Sequence, residues 1–349
     1  MTAYLYQRLR LQFDLQYEGI EWGSDLSAIA QTPDHLLWFG SDEATSIECL
    51  SPLNSSTFGN HRSFPLNQIF PDIDPEQGEV DIEGLKYNEG YIWVVGSHSS
   101  KRSKAKGKKV NKGELVEIER EPNRYLLGRI PVQNSALVQR SQDLTAACLQ
   151  REGTSNRLMV ALAEDEMLGS IISSNLPSKD NGFDIEGIAV SEDRIFLGLR
   201  GPVLRGIAIL LELKVKAENG ILELQPIGKE DQLYRQHFLD LGGMGIRDLC
   251  WHGEDLLVLA GPTMDLDGTI SVYRLPDPLD LKANRLASLD NEKLAFLFEI
   301  PHSLGGDRAE GIIPYTTDWG DQALLAVYDS PHPNRVLKPG DVLADLWKL

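Results

Sequence analysis

Three glutamates recur in one short context. Glu83 stands in Asp81-Ile-Glu-Gly-Leu85, Glu186 in Asp184-Ile-Glu-Gly-Ile188 and Glu310 in Arg308-Ala-Glu-Gly-Ile312. Carboxylates gathered at one place repel one another, so they persist beside a cation, an arginine or a shared proton. A hard divalent ion is the natural partner for such oxygens, calcium first and magnesium second. Zinc is disfavoured, because no histidine or cysteine stands at ligand spacing. Glu83, Glu186 and Glu310, with Asp81 and Asp184 ahead of two of them, are therefore the expected metal ligands. Glu83, Glu186 and His98 are the expected catalytic groups, His98 or a spare carboxylate serving as base.

Cations stand near these acids in the chain. Arg200, Arg205, Arg247, Arg308, Lys101 and Arg102 are the expected substrate-binding residues, an arrangement suited to a small anionic ligand, phosphate or carboxylate, bridged to a metal. Lys101 opens a run of seven cations in the twelve residues to Lys112, which serves either substrate capture or simple solvation. The acidic loops at 72–79 and 265–268 lack the spacing of a calcium-binding loop and are expected at the surface.

What must position these groups is a repeat. Motif starts fall at Asp25, Asp81, Asp143, Asp184, Gly245 and Arg308, and each is followed by a polar turn and an apolar second strand such as Tyr91-Ile-Trp-Val-Val-Gly96 or Leu158-Met-Val-Ala-Leu162. Short β-prone runs joined by tight turns read as hairpins. Six copies predict an all-β fold, a β-propeller of six four-stranded blades with seven as the alternative, forming one domain over residues 1–349. The N-terminal strand Leu9–Leu15 is expected to complete the last blade and close the ring. A sandwich of unrelated hairpins is the competing architecture. In a propeller the start of each first strand and the end of each second strand share one face, so the glutamates, with Ser27, Thr145 and Arg247 in the equivalent places, should ring one channel mouth.

The 349 residues carry a net charge of -18, which makes a general nucleic-acid partner improbable. Cys49, Cys148 and Cys250 form no metal or redox spacing and read as packed thiols in a reducing compartment. No apolar run reaches membrane-spanning length and the first residues lack a signal-peptide core, so no membrane association and a cytoplasmic location are expected.

The stretches Asp184-Ile-Glu-Gly-Ile-Ala189, Gly198-Leu-Arg-Gly-Pro202 and Leu256-Leu-Val-Leu-Ala-Gly-Pro262 resemble the bacterial family known as domain of unknown function 3616 over nearly the whole chain. The Asp-Ile-Glu-Gly element is also similar to that of phytase-like esterase and SdiA-regulated propellers, where it stands at a calcium- or channel-associated position. That resemblance implies metal or substrate contacts at Asp81, Glu83, Asp184, Glu186 and Glu310, while Arg247 and Arg308 depart from a fully acidic cage. The leading expectation is a metal-dependent hydrolase of a phosphoester with water as nucleophile. The alternatives are a lactonase-like sugar-ester hydrolase and a non-catalytic binding scaffold.

Overall fold

The computed structural model describes residues 4–14, 22–102, 117–227, 231–264, 266–317 and 319–349. The chain is all-β with few short helices among the described residues, and most of its described strands fall into five antiparallel four-stranded sets, some joined to a neighbour by a short parallel pairing; each set is called a sheet below. The first sheet runs Leu26–Gln31, Leu37–Ser41, Ser46–Asn54 and Thr57–Pro65. The second comprises Ile82–Asn88, Tyr91–Gly96, Leu127–Gln133 and Ala147–Leu149. The third comprises Asp184–Ser191, Arg194–Gly201, Ile207–Glu218 and Tyr234–Asp240. Gly245–His252, Asp255–Gly261, Ile270–Leu275 and Ala295–Ile300 make the fourth. The fifth joins Arg308–Thr316, Gln322–Asp329 and Asp341–Lys348 to the N-terminal strand Leu5–Gln12, in the register Leu9 to Ala344 and Leu11 to Val342.

The first strands neighbour one another in chain order, and that of the fifth sheet lies beside that of the first. Five separate apolar cores fill the spaces between neighbouring sheets; the one between the fifth and first contains Leu9, Leu11, Ile29, Phe39, Leu325 and Leu346. A strand covered on both faces has no polar side, which is why Leu37–Ser41 and Tyr91–Gly96 are continuous buried runs without alternation. Three motif glycines set the spacing at the centre. A Cβ on Gly84 would lie 2.6 Å from Cγ2 of Ile188, one on Gly187 would lie 3.0 Å from Cγ of Leu249, and one on Gly311 would lie 3.1 Å from Cγ2 of Ile29. Each glycine thus seats the fifth motif residue of the following first strand.

The third expected copy is corrected. Leu158-Met-Val-Ala-Leu162 is not a strand but lies within the helix Arg157–Ala163, started by Asn156, whose side-chain oxygen accepts from the Met159 N–H. Leu158, Met159 and Leu162 are buried, on one helical face against the core between the second and third sheets. A short apolar run fits a strand or a buried helix equally well, and the cap decided for the helix. Ala147–Leu149, expected to begin a blade, is the fourth strand of the second sheet, so Cys148 sits there and is not equivalent to the buried Cys250. Five of the six expected copies open with a first-and-second-strand hairpin among the described residues. No described helix is long and apolar enough to cross a membrane.

Candidate functional site at the channel mouth

In every sheet the register between first and second strands slips at the third motif residue. The skipped residues are Ser27, Glu83, Glu186, Arg247 and Glu310. A bulge leaves its extra residue out of the ladder and re-aims the side chain. Five bulges at equivalent positions re-aim five side chains, and those of Glu186, Arg247 and Glu310 meet. The Ser27 hydroxyl donates to the Ile82 carbonyl of the next sheet.

The acids and bases interlock there. The Arg247 guanidinium lies 2.7 Å from Glu310 Oε1 and 3.2 Å from Glu186 Oε2. Arg200 donates from Nη1 to Glu186 Oε1 at 2.8 Å and approaches Asp184 at 3.7 Å. Arg247 and Arg200 also donate to the Pro262 and Thr263 carbonyl oxygens, which fixes both side chains. Arg124, from the turn Pro122–Tyr125, meets Asp81 at 2.6 Å and Glu121 at 3.0 Å, and pairs with Glu79. Glu83 is half-buried and has no ion-pair partner among the described residues. Asp184 is 2 % exposed, yet its Oδ1 has no hydrogen-bond partner, and neither does Asp42 Oδ1.

Negative charge is in excess at this mouth. Burial pushes the Glu83 carboxyl well above the usual range, and Asp81, Glu186, Asp184 and Glu310 push it the same way. Asp184 is raised by burial and Glu186, against the opposing pull of Arg200. Glu310 is raised by burial and Asp329, against Arg247. Asp42 is raised to about 8, by burial and then by Asp81, Asp329 and Asp25. Burial and mutual repulsion thus favour the protonated form of these carboxyls, and a nearby cation opposes that shift.

Deeper in the ring lies a second pair that the motif reading did not include. Lys86 Nζ donates to Asp248 Oδ2 at 2.8 Å and to the Ile312 and Ile29 carbonyl oxygens at 3.1 and 3.4 Å. Arg124, Asp42, Lys86 and Asp248 are thus additions to the expected site. Lys86 and Asp248 could have been found, because they are charges at repeat positions held elsewhere by Ala30 and Ala189, and by Ala28, Gly84, Gly187 and Gly311. For Arg124 the repeat carries no signal, since it lies in a connection of variable length.

Of the other expected site residues, His98, Arg205 and Thr145 stand away from these carboxylates, while Lys101 and Arg308 pair with acids at their edge. His98 is buried with its ring against Tyr125. Its Nδ1 bonds the Gly96 carbonyl oxygen at 2.8 Å, and its Nε2 accepts from the Asn156 amide at 2.8 Å. Burial lowers it to about 4, so it is a neutral packed histidine joining strand to helix. Arg205 is exposed beside Leu204 and Phe238 on an outer groove. Lys101 is paired with Glu79 and Glu121, and Arg102 with Asp180. Arg308 lies 3.8 Å from Asp329 and 3.9 Å from Asp267. Thr145 sits in an outer two-stranded ribbon opposite Arg140. The rest of the basic run to Lys112 falls outside the described residues. Among the described residues, no three carboxylate, histidine or cysteine side chains are disposed to hold one metal ion. Between Glu186 and Glu310 stands the Arg247 guanidinium.

The family described as Protein of unknown function (DUF3616) matches residues 25–345. No curated protein matches. Among solved structures, the PQQ-bound aldose sugar dehydrogenase of Streptomyces coelicolor is 12% identical, covers 99% of this chain and 98% of its own, and has a TM-score of 0.45. Virginiamycin B lyase from Staphylococcus aureus is 11% identical, with 98% and 99% covered and a TM-score of 0.37. Likenesses this distant transfer no activity.

Proposed function

This chain belongs to the DUF3616 family, and from that premise we propose that it is a binding propeller, its five sheets the blades of a closed ring and its acidic mouth a receptor for the ammonium or guanidinium group of a small molecule. The observation that carries this reading is the buried Asp184 Oδ1 without a donor, beside Glu83, which has no ion-pair partner among the described residues. Both are acceptors, and Arg200, at 3.7 Å from Asp184, is already bonded to Glu186. An unpaired buried carboxylate oxygen costs stability until a donor reaches it, and an ammonium supplies three N–H donors and the missing charge. Lys86, held deeper in the same ring by one carboxylate and two carbonyl oxygens, shows the kind of seat these strands make for an ammonium.

No hydrolytic step is assigned. Arg200 and Arg247, expected to hold phosphoryl oxygens, are engaged by Glu186, Asp184 and Glu310. His98 has both ring nitrogens occupied. A divalent metal, calcium first, is the competing occupant. Calorimetric titration with 1,4-diaminobutane, n-butanol and calcium chloride separates the two, using the wild type and Glu83→Gln. Saturable binding of the diamine alone, weakened at least about tenfold in Glu83→Gln, supports the reading. Binding of calcium without the diamine replaces it with a metal centre, and binding of neither removes it.

A further inference from the structure

The helical insert that stands in place of an expected blade creates a second cavity, of about 250 Å³. Its walls are of two kinds. Met159, Ile172 and Phe183 give an apolar side, and Tyr125, Asn175 and Arg120 give a polar one. The helix Arg157–Ala163 brings Met159, and the helix Gly169–Ser174 brings Ile172 and ends on Asn175, whose left-handed backbone (φ 54°) turns the chain there.

Two polar groups in this cavity are unspent. Asn175 Oδ1 is buried without a hydrogen-bond partner. Arg120 is exposed at the rim and makes no ion pair among the described residues, in a chain where most other arginines are paired. Its charge reaches the Tyr125 phenol, where it opposes the upward push of burial. A guanidinium with no ion-pair partner among the described residues, near a phenol and an apolar wall, is a seat for a planar carboxylate with an apolar body. Size agrees, since a dry cavity of about 150 Å³ already accepts benzene.

We propose that this cavity is a binding site for a small carboxylic acid with a ring or short apolar chain, the carboxylate on Arg120 and the body against Met159, Ile172 and Phe183. Its lining includes none of the mouth carboxylates. The ligand's charge supplies the counterion that Arg120 lacks, and its apolar body removes surface from water.

The test uses 4-fluorobenzoate followed by fluorine NMR line broadening, with 4-fluorobenzamide as the neutral control. The wild type should show saturable broadening with the acid and at least about tenfold weaker binding of the amide. Arg120→Gln, an exposed change that leaves folding intact, should weaken the acid by a similar factor. Val160→Trp, from a half-buried cavity position, should abolish binding with an unchanged melting curve; if it fails to fold, Arg120→Gln decides. Equal binding of acid and amide, no saturation in the wild type, or an unaffected Arg120→Gln each overturns the proposal.

Discussion

Lys86 and Asp248 meet at 2.8 Å across the centre of the ring, although they come from the second and fourth sheets, which are not neighbours. The ammonium also bonds carbonyl oxygens of the first and fifth sheets, and Asp248 Oδ2 accepts from the Ile312 N–H at 2.7 Å. One buried pair therefore ties four sheets. Removing one partner of a buried pair leaves an uncompensated charge, a loss of about 3–5 kcal/mol. Lys86→Met should lose stability of that order in urea unfolding at pH 8, and Lys86→Met with Asp248→Leu should recover part of it. Asp248 stands at about 6 with Lys86 present, raised by burial and held down by the lysine. Without the lysine it protonates at higher pH, so the deficit of Lys86→Met should shrink as the pH falls to 5. A deficit independent of pH would show that the pair is not what Lys86 contributes.

The glycine contacts predict a coupling between neighbouring sheets. Gly84→Ala places a methyl group 2.6 Å from Ile188 Cγ2, and overpacking of this kind costs about 1–3 kcal/mol. Ile188→Ala opens the space while losing its own burial. The double variant should be less destabilised than the sum of the singles, by more than about 0.5 kcal/mol in a double-mutant cycle of urea unfolding. Strict additivity would separate the glycine from the isoleucine.

How far the sequence could be read follows from which signals repeat. The hairpins of five copies and the convergence of Glu186, Glu310 and Arg247 rest on the repeat and appear in the structure, as does the N-terminal strand beside Asp341–Lys348. The third copy was misread because Leu158–Leu162 is apolar enough for either structure, and its helical cap lies outside the motif. His98 was placed near the mouth by its distance from the second strand, but its positive φ of 55° and the Asn156 amide turn the ring away. Which charge neutralises the carboxylates is a matter of side-chain reach, and Arg124, Arg200 and Arg247 reach by different routes that spacing does not encode.

Asp42 supplies a pH prediction with a definite sign. Its folded carboxyl titrates at about 8 against an ordinary 3.8, so the folded state prefers the protonated form. That stabilisation is complete below pH 4 and is lost as the pH rises through 8. Asp42→Asn removes the titration, and relative to wild type it should gain stability steadily from pH 4 to pH 8, by on the order of 4–6 kcal/mol. Thermal melts of both proteins across that range measure it. A gain that is flat with pH, or largest in acid, would contradict the assignment.

Arg247 holds the mouth together from the fourth sheet. With side-chain exposures of 6% for Arg247, 3% for Glu186 and 15% for Glu310, the guanidinium and its two carboxylates are largely out of water. Arg247→Met strands the two carboxylates, leaving Arg200 on Glu186 and, at Glu310, the push of Asp329 and Glu186 against the weaker pull of Arg200. The expected cost is about 3–5 kcal/mol at pH 8, seen as a fall in melting temperature. Because Arg247 opposes the upward shift of Glu310, its loss lets that carboxyl take a proton at still higher pH. The penalty should therefore narrow on acidification to pH 5, and Glu310→Gln added to Arg247→Met should restore much of the stability at pH 8. Restoration by Glu310→Gln but not by a neutral change at Asp329 would place the conflict in the bulge residues themselves.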